Sequence, residues 1–320
     1  MFNKVFVVSP ANIATGGTEL LQQLVYKLRL FGVNAYMFYT TPYEASAVKR
    51  TFEPRYNNPI ANDIEDHGDN IVIVPESGIS SLLKYRNIQK AVWWLSVDNY
   101  QGTNKKKKDF LHTVYRYCLD MFYRYVDKRW IHFVQSEYAY LYCSENRRIP
   151  QSHIFRLSDY LSSGFIESVG NVNTFERKNQ VLYNPLKGKV FTEKLIEMNP
   201  DLNWVPIQNM TAEQVRNLML SSKVYVDFGN HPGKDRIPRE AAMCGLCVIT
   251  GKKGSAANDI DVEIPRKYKF DEIQISEISK VIHSCLNDYD VVIGDFTNYR
   301  NKIMHEEQVF NDEIKAFFLS

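Results

Sequence analysis

Cysteine is scarce: five in 320 residues, at 118, 143, 244, 247 and 285. An odd and scattered set argues against a disulfide framework and for a reducing compartment. Cys244 and Cys247 form a C-x-x-C, yet no second pair or nearby histidine accompanies them. Their place at a helix end and a strand start suits small buried packing residues rather than a zinc or redox site. No apolar run approaches the roughly 18 residues a membrane span needs. The opening strand-like run Lys4–Ser9 is too short for a signal sequence and lacks a small-residue cleavage site, so a cytoplasmic protein is expected. No G-x-G-x-x-G occurs, which leaves a nicotinamide dinucleotide site poorly supported. A large net charge is missing as well: 39 Lys and Arg stand against 37 Asp and Glu, and no nucleic-acid partner is expected.

What is present is the composition of a soluble globular protein, 44% hydrophobic and 24% charged, enriched in aromatics with 20 Tyr and 18 Phe. The length is comfortable for two domains. The charge is uneven, with 20 Lys and Arg against 15 Asp and Glu in residues 1–160 and 19 against 22 in the rest, so the first half is the better suited to an acidic partner. Strand-like runs at Val5–Val8, Asn34–Tyr39, Ile71–Val74, Ala91–Leu95 and Ile131–Val134 alternate with helical stripes at Leu20–Leu28 and Phe110–Tyr125. Alternation of this kind predicts a parallel sheet covered by helices. Residues 147–178 read as irregular and are the expected domain connection. The pattern then repeats, with strands at Gln180–Tyr183, Trp204–Ile207, Val224–Phe228 and Val248–Thr250. Helices are expected at Phe191–Met198, at 211–220 behind a Thr211/Gln214 capping box, and around Ile273–Leu286. The expected division is 1–160, 161–297 and a terminal helix at 298–320, giving two doubly wound Rossmann-like domains with a ligand in a cleft between them.

The most informative stretch is Val224–Thr250, a strand, a basic glycine turn, a short helix over Ile237–Cys244 and a second strand. Pro238 suits the first helical turn and Gly245 its end. The free amides of that turn, with Lys234 and Arg236 before it, form a site suited to a diphosphate. Glu240, beside such an anion and unable to pair with it, suits the acceptance of hydrogen bonds from neutral hydroxyls. A surface charge cluster capping a helix is the plainer alternative. Gly16 and Gly17 stand where a helix begins after the first strand and would let a ligand approach the backbone closely. Lys187 and Lys189 follow the strand Gln180–Tyr183, on the same expected sheet edge as Lys234 and Arg236.

The Gly-Gly-x-Glu loop at Gly16–Glu19, Lys187-Gly188 and Gly-Lys-Asp-Arg-Ile-Pro-Arg-Glu-Ala-Ala-Met-Cys-Gly at 233–245 together resemble the GT-B nucleotide-sugar glycosyltransferases of bacterial polysaccharide assembly. The likeness implies a metal-independent transfer from a nucleotide-sugar donor to a glycan or lipid-linked acceptor, with no separate cofactor. By it Lys187 and Arg236 neutralise the donor diphosphate, Glu240 takes the ribose hydroxyls, and Gly16 and Gly17 close over a substrate. Where many retaining members carry a further glutamate, eight residues before this Glu240, the chain has Pro232. Asp98, after the strand ending in Trp93-Trp94, is the candidate catalytic group, with the neighbouring aromatics available to a sugar face, and His231 is the alternative. Lys105–Lys108 before the aromatic stripe would seat the protein peripherally on an anionic membrane, at the inner face, if they are more than a solvated helix start. Two other functions use the same architecture: a non-hydrolysing sugar-nucleotide epimerase, and a nucleotide-sugar-binding protein without turnover.

Overall fold

A computed structural model describes residues 2–44, 46–101, 121–123, 125–170 and 176–320. The chain divides into two compact units, Met1–Asp159 with Val309–Ser320, and Tyr160–Gln308. Lys105–Lys108, Cys118 and most of the stripe at 110–125 lie outside the described residues.

The first unit is a parallel six-stranded sheet: β1 (Lys4–Ser9), β2 (Ala35–Tyr39), β3 (Asn70–Pro75), β4 (Gln89–Trp94), β5 (Ile131–Val134) and β6 (Ile154–Arg156), in the order β2-β1-β3-β4-β5-β6. A single parallel bridge, Met37 to Ile60, continues the sheet beyond β2. β3 is buried along its whole length and β1 almost so, as expected of strands covered on both faces. Helix α1 (Gly16–Leu30) turns Leu20, Leu21, Leu24, Val25 and Leu28 inward. α2 (Ala47–Tyr56), α3 (Val97–Gln101) and α4 (Glu137–Leu141) follow.

The second unit repeats the plan with five parallel strands: β7 (Lys178–Tyr183), β8 (Asn203–Pro206), β9 (Ser222–Asp227), β10 (Cys247–Gly251) and β11 (Lys269–Phe270), in the order β11-β10-β9-β7-β8. α5 (Ser163–Val169) leads into it. α6 (Lys189–Met198), α7 (Ala212–Leu220), α8 (Arg236–Met243), α9 (Ile275–Asn287) and α10 (Tyr289–Val292) cover the sheet. The Thr211/Gln214 capping box forms as expected, with Gln214 N–H donating to Thr211 Oγ1 at 3.2 Å and Thr211 N–H to Gln214 Oε1 at 2.8 Å. Cys244, Cys247 and Cys285 are buried in the core as packing residues. The last helix, α11 (Thr297–Phe318), begins in the second unit and ends in the first.

Two doubly wound sheets therefore stand as expected. The stretch 147–178 is not irregular throughout, since β6 and α5 form within it, and the division between the units, at Asp159, falls inside it. Strand β6 has only three residues and takes its identity from pairing with β5, His132 opposite Ile154, which no local pattern could announce.

Candidate functional site

In the second unit the connection from β7 runs to β8 on one side, whereas that from β9 runs to β10 on the other. The order therefore reverses between β7 and β9, the place where open α/β sheets bind ligands. Two of the loops that leave there are packed backbone to backbone. Gly188, at φ +60°, caps the start of α6, and a Cβ on it would fall 2.6 Å from the Phe228 carbonyl carbon and 2.7 Å from the Gly229 nitrogen. A third loop, after β10, locks the second: Ser255 donates its N–H to His231 O at 2.8 Å and its hydroxyl to Gly233 O at 2.6 Å. Gly254 is held at φ +59° with no room for a Cβ against His231 O.

Within these loops four ionisable groups alternate in sign. Asp227 ends β9, its carboxylate accepting from the Gly229 N–H and from the Tyr225 hydroxyl, both at 2.9 Å. The His231 ring, fully buried, has Nε2 3.5 Å from Asp227 Oδ1 and Nδ1 3.1 Å from Asp235 Oδ2. Neither ring nitrogen is aligned for a hydrogen bond, so the contacts are ionic. Burial alone would push this imidazole's pKa down; the two carboxylates override it and raise the value to about 9. Burial likewise works against ionised Asp227, yet His231 holds its pKa below the ordinary carboxylate value. Asp235 Oδ2 then meets Lys187 Nζ at 2.5 Å. Asp227, His231 and Asp235 offer ligand atoms within 4.8 Å of one another. The two ring nitrogens, however, face different carboxylates, and a proton with the Lys187 ammonium already balances both negative charges. With His231 protonated, the four groups form an ion-pair chain whose charges sum to zero.

Asp235 is also the N-cap residue of α8, and its side chain makes no capping hydrogen bond. Arg236 opens the helix and Pro238 lies in its first turn, with Arg236 Nε 3.7 Å from Glu240 Oε1. Both side chains are partly exposed. Lys187, Arg236 and Glu240 thus gather about the amino end of α8. Lys234 and Lys189 do not join them. Lys234 Nζ pairs with Glu306 Oε1 on α11 at 2.7 Å, alongside buried Arg239, whose Nη1 meets Glu306 Oε2 at 2.7 Å. Lys189 is exposed and lies 3.6 Å from Glu193. Pro232 sits between His231 and Gly233.

In the first unit Gly16 and Gly17 open α1 behind the N-cap Thr15. A Cβ on Gly17 would meet Leu95 Cδ1 at 3.8 Å and Thr15 Oγ1 at 4.0 Å, both ordinary contacts, so packing does not demand glycine there. Asp98 lies in α3, nearly buried, with its Oδ1 accepting from the Tyr138 hydroxyl at 2.8 Å. Trp93 and Trp94 are completely buried, which corrects their reading as a sugar platform. Trp93 donates to Leu157 O at 2.9 Å and Trp94 to His132 Nδ1 at 3.0 Å. Alternation on a strand buried from both sides cannot distinguish a core tryptophan from a site one. Sequence reasoning also passed over Glu76, which follows β3. Its buried carboxylate accepts from the Leu95 N–H at 2.9 Å, and burial lifts its pKa to about 7. A carboxylate directly after a buried strand and a proline was the available signal.

No protein-family model matches the sequence, and no curated protein matches it. Solved structures match the fold over its whole length. The Anabaena protein Alr3699/HepE, in complex with UDP and glucose, is similar with a TM-score of 0.65 at 11% identity, covering 100% of both chains. A glycosyltransferase from Rickettsia africae gives a TM-score of 0.65 at 11% identity, again over 100% of both chains. The sucrose-phosphate synthase of Thermosynechococcus elongatus gives 0.61 at 12% identity, over 99% of this chain and 98% of that one. The fold is GT-B.

Proposed function

We propose that this GT-B chain is a glycosyltransferase that moves a sugar from a nucleotide-sugar donor to a glycan or lipid-linked acceptor, without a metal. The observation that carries the reading is the amino end of α8, uncapped by side chain and flanked by Lys187 and Arg236 at the reversal point of the second sheet. A departing nucleoside diphosphate needs its growing charge neutralised, and helix amides with two cations fixed before the reaction supply that. Glu240, one turn into the helix, accepts from the ribose hydroxyls. The UDP and glucose bound to Alr3699/HepE, a protein of the same fold, support a nucleotide-sugar donor.

In the first unit Asp98 is the candidate base for an acceptor hydroxyl, oriented by Tyr138, and His231 is a structural cation rather than a proton acceptor because its carboxylate neighbours keep it charged. Thermal-shift measurement across ADP, GDP, CDP and UDP and their sugars tests the reading. A bound ligand at 100 times its dissociation constant adds about 2.7 kcal/mol. Lys187→Ala and Glu240→Ala should each weaken the stabilising ligand about tenfold or more while leaving the ligand-free melting temperature within a few degrees. Unchanged affinity in both variants would overturn the site, and sugar transfer to an acceptor, rather than isomerised donor, separates transferase from epimerase.

A further inference from the structure

In this structure Lys187 is paired with a carboxylate of its own chain. Its Nζ lies 2.5 Å from Asp235 Oδ2, the side chains being 31% and 19% exposed, so the pair is accessible to an anion and partly shielded from water. The same oxygen is met by His231 Nδ1, 3.1 Å away on a fully buried ring whose Nε2 lies 3.5 Å from Asp227 Oδ1. Asp235 also stands at the N-cap of α8 without capping it through its side chain. Its negative charge therefore rests on Lys187, a cation that the proposed site needs for its anion.

We infer that Asp235 is a built-in competitor for the donor: its carboxylate holds Lys187 when the site is empty, and a nucleoside diphosphate binds by taking Lys187 from it. This rests on the site proposed above. After the exchange Asp235 retains His231 as its counterion, so no buried charge is stranded. That is the physical use of a second cation behind the first. The arrangement sets affinity from below: the diphosphate must outcompete a carboxylate already in place, which favours a polyanion over a single phosphate and speeds release of the spent nucleotide.

Asp235→Asn tests this, since asparagine is nearly isosteric and equally good as an N-cap residue. Calorimetric titration with whichever of ADP, GDP, CDP and UDP binds the wild type most tightly should show affinity rising about tenfold in the variant. Fitted stoichiometry reports the folded fraction. In a Lys187→Ala background, Asp235→Asn should gain no more than about twofold, because the competition has lost its object. Weaker or unchanged binding by Asp235→Asn, or a gain that persists without Lys187, overturns the inference while leaving the donor site standing. Failure of the wild type to bind any of the four nucleotides overturns both.

Discussion

Glu76 shows what a single buried charge does to the stability of the first unit. Its folded pKa of about 7 lies above the ordinary 4.5, so the folded chain retains a proton that the unfolded chain releases. The group's contribution is complete below pH 4.5 and is lost as pH rises through 7, on the order of 3 kcal/mol in all. Glu76→Gln keeps the amide contact to Leu95 without the titration. Urea unfolding of the variant should show a flatter stability profile between pH 5 and pH 8 than the wild type, and parallel profiles would show that Glu76 is ionised throughout. His231 has the same sign at higher pH. Its raised pKa of about 9 keeps the ion-pair chain charged across the neutral range and gives it up only in alkali. These residues also mark the reach of sequence reading. Lys187, Arg236 and Glu240 could be assigned to one helix terminus because each lies within a few residues of a strand end or of Pro238. Lys234 sits equally close in sequence, and only its partner Glu306 separates it from the group.

At the scale of elements, α8 was legible because Pro238 and Gly245 punctuate it and β-branched strands flank it. Strand β11 was not, since its two residues exist as a strand only through Thr250 and Gly251 of β10. The tie between α8 and α11 was equally hidden, a contact across 67 residues of sequence. Arg239 is buried at the centre of that tie, holding the carbonyl oxygens of Lys234 and Asp235 at 3.2 Å as well as Glu306. It therefore fixes the start of the helix on which the proposed site depends. Removing the carboxylate leaves a buried guanidinium without its counter-charge, a loss of about 3–5 kcal/mol. Glu306→Ala should lower the denaturant midpoint of the second unit accordingly and weaken nucleotide binding with it. An unaltered midpoint would show that α11 does not hold α8.

At the scale of the molecule, the chain leaves the first unit at Asp159 and returns to it at Val309. The returning segment is a structural part of that unit. Phe310 stacks on Trp93 with ring centroids 6.4 Å apart, Phe317 meets Phe133 at 4.8 Å and Phe155 at 4.7 Å, and Phe318 meets Phe133 at 5.7 Å. Glu313 accepts from both the N–H and the hydroxyl of Ser158 at 2.7 Å. Ending the chain after Gln308 strips these aromatics from buried Trp93 and Phe133. Each large aromatic lost from a core is worth about 3–5 kcal/mol. The truncated protein should therefore lose cooperative unfolding of its first unit and bind a hydrophobic dye such as ANS, while a cooperative transition for the second unit persists; a first unit unfolding as in the full chain would contradict this.

The same segment imposes an order on biosynthesis. Residues up to Asp159 leave the ribosome before all of Tyr160–Gln308, and the twelve that finish their core leave after it. At roughly 5–20 residues per second the unfinished amino-terminal sheet waits on the order of ten to thirty seconds with its tryptophan-bearing face open. The later-made unit therefore has all of its residues before the earlier-made one does.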